Sequence, residues 1–124
     1  MNEKDLLVQL IEKYEEVTQS DVTEDSLGLY LVEIQKDSKK GIARKTAARI
    51  CHEFIKNVLG LPDLDWGEAA KIKDIYECRV CANSIAQVCI RGIMEPGEDG
   101  AFGLNRVLGE NEINDVIRKV TELI

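Results

Sequence analysis

Apolar positions recur at helical spacing along most of this chain. Over residues 3–17, EKDLLVQLIEKYEEV, Leu6, Leu7, Leu10, Ile11 and Tyr14 share one face with acids opposite. Residues 43–59 repeat the pattern through Ala47, Ile50, Cys51, Phe54 and Val58, until Gly60 and Pro62 end it. Residues 68–93 carry no proline and no internal glycine before Gly92, which predicts one long helix. Residues 110–124 place Ile113, Val116, Ile117 and Val120 together, with acids early and Arg118 and Lys119 late, as the helix dipole prefers. Residues 24–35, EDSLGLYLVEIQ, read equally as a short helix or a strand, and Gly28 weakens either reading. The expected fold class is all-α.

A chain of 124 residues buries about two thirds of its unfolded surface in one core, so a single domain over 1–124 is expected. Its composition, 44% hydrophobic and 31% charged with two prolines, is that of a folded protein. The opening MNEKDLLVQLIEKYEEV is acidic and amphipathic, unlike a secretory leader, and no apolar run approaches about 18 residues. A cytoplasmic protein without membrane association is therefore expected.

Four cysteines, Cys51, Cys78, Cys81 and Cys89, with one histidine, His52, raise metal and redox chemistry. The spacing CRVC at 78–81 is the strongest hint. On a continuous helix, however, Cys78, Cys81 and Cys89 fall within about 80° of one another on the stripe of Ile85 and Val88. A zinc knuckle puts its CxxC in a turn and needs two further ligands, whereas Cys51 lies on another segment. The cysteines are expected as small core hydrophobes, without metal or disulfide. A zinc or redox protein using Cys78 and Cys81 is the alternative. His52 has only Cys51 beside it and is given no role.

Charge is uneven. Residues 36–49 hold Lys36, Lys39, Lys40, Arg44, Lys45 and Arg49 against Asp37, a local +5 in a chain of −7. An acidic protein with so small a basic patch is not expected to bind nucleic acid. Arg44 and Lys45 nevertheless sit in the first turn of their predicted helix, where the dipole disfavours cations. Lys40, Arg44 and Lys45 are therefore the candidate binding residues, for a small anionic ligand or an acidic partner.

The stretch IRGIMEPGEDGAFGLNRVLGENE, residues 90–112, interrupts the helical pattern with a Pro-Gly and Asp-Gly loop. Each of two loops delivers one apolar residue, Ile42 or Leu108, just before a helix, in GIARKTAARICHEF and VLGENEINDVIRKV. The second unit resembles the S-layer homology motif, a helix ending in GI, a glycine and Asp-Gly loop, FxPxxxxTRAE and a second helix. RGIM, DG, AFGLNRVLGENE and INDVIRKV follow in that order, with Phe102 at the motif's phenylalanine, Leu104 where its proline stands, Leu108 at its apolar anchor and Gly109 to Glu112 over TRAE. Ile42 to Thr46 resemble the anchor and TRAE of a half motif, and LPDLDWGEA resembles the connection between motifs. The resemblance covers about residues 41–121. It divides the chain into a helical extension (1–36), a half motif (37–66) and a second motif (67–124).

The resemblance implies a helix-loop-helix scaffold whose TRAE arginine, here Arg44, meets the anionic secondary polymer of Gram-positive cell walls. TRAE is physically a capping box. Gly109 and Glu112 keep half of it, Ala43 and Thr46 abandon it, and Glu110 stands where the second arginine would be. Family assemblies generally combine three motifs, are exported and avoid cysteine; this chain departs on each count. Phe102 is expected to pin its loop to the core, and Asp99 and Gly100 to make the turn.

No nucleophile with a histidine partner and no phosphate-binding glycine loop is evident, so no enzymatic activity, cofactor or metal is expected. The sequence points to a small cytoplasmic protein-protein interaction module of adaptor or immunity type. A diverged S-layer-type module binding an anionic cell-wall glycan is the alternative.

Overall fold

Asn2 and Asp5 start the first helix by exchanging hydrogen bonds: the Asp5 N–H donates to Asn2 Oδ1 at 2.8 Å and the Asn2 N–H to Asp5 Oδ2 at 3.0 Å. This helix, α1 (Glu3–Thr18), buries Leu6, Leu7 and Leu10. The structure is a computed structural model and describes residues 1–36 and 40–124. Residues 24–35 are helical, divided into α2 (Glu24–Leu27) and α3 (Leu29–Lys36). Gly28 makes the division with φ 83 and ψ 165, a region open essentially to glycine alone.

α4 (Arg44–Asn57) packs along α5 (Arg79–Ile90), and α6 (Glu110–Thr121) packs on α1. α1 also touches α3 and α4, and its Leu6, Leu7 and Leu10 join the buried cluster. The buried apolar residues form one cluster running from Leu6 to Val120. The all-α expectation holds: among the described residues there is no strand, only isolated bridges from Asn2 to Lys40 and from Ala43 to Val107.

The predicted long helix over 68–93 is not observed. A 3-10 turn covers Gly67–Lys71, an irregular stretch follows, and α5 begins only at Arg79. The cause is tertiary. Asp74 accepts the Phe102 N–H at 2.7 Å and the Gly103 N–H at 2.9 Å, while the Lys73 N–H donates to Gly100 O at 3.0 Å. Ile72 and Ile75 are buried along the same stretch. These lateral bonds and burials outweigh the modest helix propensity of 72–78.

The two anchors behave as expected. Ile42 and Leu108 are buried, and the Leu108 N–H donates to Ile42 O at 2.9 Å. Their segments run side by side, with the Arg44 N–H on Arg106 O at 2.9 Å and the Lys45 N–H on Leu104 O at 3.0 Å. α4 has no side-chain cap; the carbonyls of Leu104 and Arg106 satisfy its first two N–H groups instead. At α6 the Gly109 N–H donates to Glu112 Oε1 at 3.4 Å, the half box read from the sequence.

Candidate functional site

The 93–106 loop and α6 enclose a groove of about 480 Å³ with Arg44 among its lining residues. Arg44 is 6% exposed. Its Nε donates to Phe102 O at 2.8 Å, Nη2 to Glu95 O at 2.5 Å, and Nη1 meets Glu112 Oε2 at 3.4 Å. The guanidinium carbon lies 4.3 Å from the centre of the Phe102 ring, a cation–π stack. Burial, then the Arg106 charge, lowers the Arg44 pKa against the pull of Glu112. Arg106 forks onto the two Glu112 oxygens at 2.8 and 2.9 Å, which is the main reason the Glu112 carboxyl is held below its usual range. Glu95, Asp99, Asp115 and Lys119 complete the charged lining.

Arg44 therefore does not stand outward as a free cation. Its side-chain donors serve carbonyls and one carboxylate that tie α4 to the 93–106 loop and α6. The aromatic expectation is met: Phe102 is buried and pins that loop.

The basic segment is spread over the molecule rather than gathered. Lys40 lines a groove of about 770 Å³ with Val8, Glu110 and Ile113. Lys45 lines another of about 460 Å³ with Asp74, Glu77 and Cys78. Arg49 lies over the Tyr30 ring at 3.9 Å, Lys36 reaches Glu33 at 4.0 Å, and Lys39 falls outside the described residues. Lys40, Arg44 and Lys45 thus line three different grooves, and the structure does not bring them together.

His52 has a role that the sequence did not reveal. It is 5% exposed, with Nδ1 2.9 Å from Ser84 Oγ and Nε2 2.7 Å from Asp63 Oδ1. A serine, a histidine and an aspartate do meet, contrary to the sequence reading. Ser84 is buried inside α5, and His52 bridges it to Asp63 of the 61–66 segment. The hydrogen bond from His52 is the main reason that the Asp63 carboxyl is held below its usual range. Asn83 Nδ2 donates to Asp63 Oδ2 at 2.9 Å, and Asn83 Oδ1 accepts the Trp66 indole N–H at 2.9 Å. Gln87 clamps Leu64 through both its backbone groups, at 2.9 and 2.8 Å. This network fastens the 61–66 segment to α5.

That fastening holds aromatic and apolar surface in place. Trp66 and Tyr76 have ring centres 6.0 Å apart. Tyr76 is 66% exposed and Val80 71%, with Leu64 also exposed nearby in sequence to Trp66. Over residues 63–80 five acids stand against three bases.

Of the cysteines, Cys51 and Cys81 are buried as expected, whereas Cys78 and Cys89 are half-buried. The expectation of no disulfide is corrected: Cys78 and Cys81 are bonded to each other. Because α5 starts at Arg79, both cysteines lie at a helix terminus instead of on a long helical stripe. Burial raises the Cys51 thiol to about 12 and the Cys89 thiol to about 11. Among the described residues no group of three or more His, Cys, Asp or Glu side chains is placed to hold a metal ion. No described helix is long and apolar enough to cross a membrane.

No protein-family model, curated protein or solved structure matches the chain. The residues sequence reasoning missed, Asp63, Asp74, Ser84, Asn83 and Gln87, act across separations of 11 to 32 residues. Such pairings leave no local pattern.

Proposed function

We propose that the protein is an interaction module that docks a protein partner through Tyr76 and Val80, beside Trp66. The observation that carries this reading is the exposure of Tyr76 and Val80, 66% and 71%, with Tyr76 against the Trp66 ring and its stretch held to the 100–103 loop through Lys73 and Asp74. Rigid aromatic and aliphatic side chains are the usual anchors of an interface, because little conformational freedom is lost on binding. The acidic balance around them, within a chain of net −7, suits a partner with a basic surface around an apolar centre. The anionic-polymer reading requires Lys40, Arg44 and Lys45 to act together, and their separate grooves favour the protein partner.

The test is affinity capture from the source cells with the wild-type chain and with a Tyr76→Ala, Val80→Glu double variant. A species retained by the wild type and lost by the variant, with retention falling as salt rises, supports the reading. Tyr76→Ala alone should then weaken the purified complex by about 2 kcal/mol. If capture is indifferent to both substitutions while the variant keeps its helical circular dichroism, the docking surface lies elsewhere.

A further inference from the structure

The Cys78–Cys81 disulfide sits where α5 begins, Cys78 as the residue preceding the helix and Cys81 in its first turn. The two sulfurs have unequal surroundings. Cys81 is 4% exposed, whereas Cys78 is half-buried and lines the groove of about 460 Å³ that also holds Lys45.

Four charged groups line that groove. Asp74 already accepts the Phe102 and Gly103 N–H groups, and Arg106 is forked onto Glu112. Glu77 and Lys45 remain, and neither has an ion-pair partner among the described residues. Arg79 is exposed next to Cys78. A thiolate at this position therefore stands at a helix start and shares a groove with the Lys45 ammonium, which favour the charged sulfur, while Glu77 in the same groove opposes it.

We propose that Cys78 and Cys81 form a thiol–disulfide exchange site for thiols of the glutathione class, with Cys78 the sulfur that meets the external thiol and Lys45 a positioning residue. An incoming thiolate attacks Cys78 Sγ, the Cys78–Cys81 bond breaks, and Cys81 leaves with the electron pair and takes up a proton. A second thiolate attacks the outer sulfur of the mixed disulfide, releasing the oxidised small molecule and leaving Cys78 as thiolate. Two thiols lose two electrons and two protons, and the protein disulfide gains them as two cysteine thiols. The reverse reaction oxidises the pair. The inner position of Cys81 makes it the resolving sulfur, out of reach of the external thiol. This site works whether or not Tyr76 and Val80 dock a partner.

The experiment equilibrates the full chain with mixtures of glutathione and glutathione disulfide, quenches with acid, alkylates and measures mass. Cys78 and Cys81 are expected to interconvert together as a two-electron pair while Cys51 stays reduced. In Cys81→Ser, glutathione disulfide should leave one glutathione on Cys78; because a hydroxyl at this buried position threatens folding, Cys81→Ala serves as a second trap. In either trap, Lys45→Ala should move the pH midpoint of Cys78 alkylation upward, a change that a purely structural lysine would not cause. The wild type should also speed reduction of glutathione disulfide by dithiothreitol above the rate with Cys78→Ser. A pair that does not interconvert, an adduct on Cys89 instead of Cys78, an alkylation midpoint indifferent to Lys45, or a rate equal to that of Cys78→Ser would each overturn the proposal.

Discussion

Arg44 Nε donates to the carbonyl of Phe102 at 2.8 Å while its guanidinium stacks on the ring of that same residue. One side chain thus fixes both the backbone and the aromatic plug of the 93–106 loop. Removing it leaves the carbonyls of Glu95 and Phe102 short of a charged donor, and Arg44→Ala should cost about 3 kcal/mol. Arg44→Glu should cost more, since it sets a second carboxylate against Glu112. Urea unfolding of the two variants and the wild type measures this; equal midpoints would mean that the guanidinium holds nothing.

Asp74 links acidity to the same loop. Burial alone would raise its carboxyl, but hydrogen bonds from the Phe102 and Gly103 backbone hold it below the usual range. A carboxylate with a depressed folded pKa stabilises the fold above its unfolded value, about 4, and that contribution fades as pH falls through the folded value. Asp74→Asn should lose about 1–3 kcal/mol at neutral pH and show a shallower fall in stability below about pH 4. Paired denaturation curves across that range provide the check.

The Gln87 clamp offers an optical readout, because Trp66 is the chain's single tryptophan. Gln87→Ala removes both hydrogen bonds to Leu64 and loosens the segment that leads to the indole. We expect a loss of about 1–3 kcal/mol and a red-shifted tryptophan emission in the folded state. Emission unchanged from the wild type would detach Trp66 from this network.

Gly28 should resist substitution. Beyond its unusual backbone angles, an added Cβ would come 2.7 Å from Asn57 Nδ2, the atom that donates to Leu27 O. Gly28→Ala is expected to cost about 1–3 kcal/mol through backbone strain. If Asn57→Ala relieves the cost entirely, the problem is crowding and the strain argument fails.

The helices were legible where periodicity and burial agree, as at Leu6, Leu7 and Leu10 or Ile113, Val116 and Val120. The anchors Ile42 and Leu108 and the plug Phe102 were legible too, because an isolated apolar residue in a polar loop has few other destinations. What stayed hidden depends on partners distant in sequence. Nothing near Asp74 announces that it will take two N–H groups from the loop at 102–103, and so the break before α5 could not be read. Arg44 misled for the same reason: a cation at a helix start looks exposed until Glu112 and the carbonyls of Glu95 and Phe102 close around it. His52 had no local partner because Ser84 and Asp63 arrive from other segments.

The side-by-side run of residues 42–45 and 104–108 has a kinetic consequence. A chain made of helices ordinarily folds fast, since its contacts are local. Here the first amides of α4 find their acceptors on Leu104 and Arg106 only after a loop of about half the chain has closed, and that closure costs entropy before any contact rewards it. Refolding should therefore be slower than the helix content suggests, with the amides of Arg44 and Lys45 gaining protection from hydrogen exchange late and together with that of Leu108.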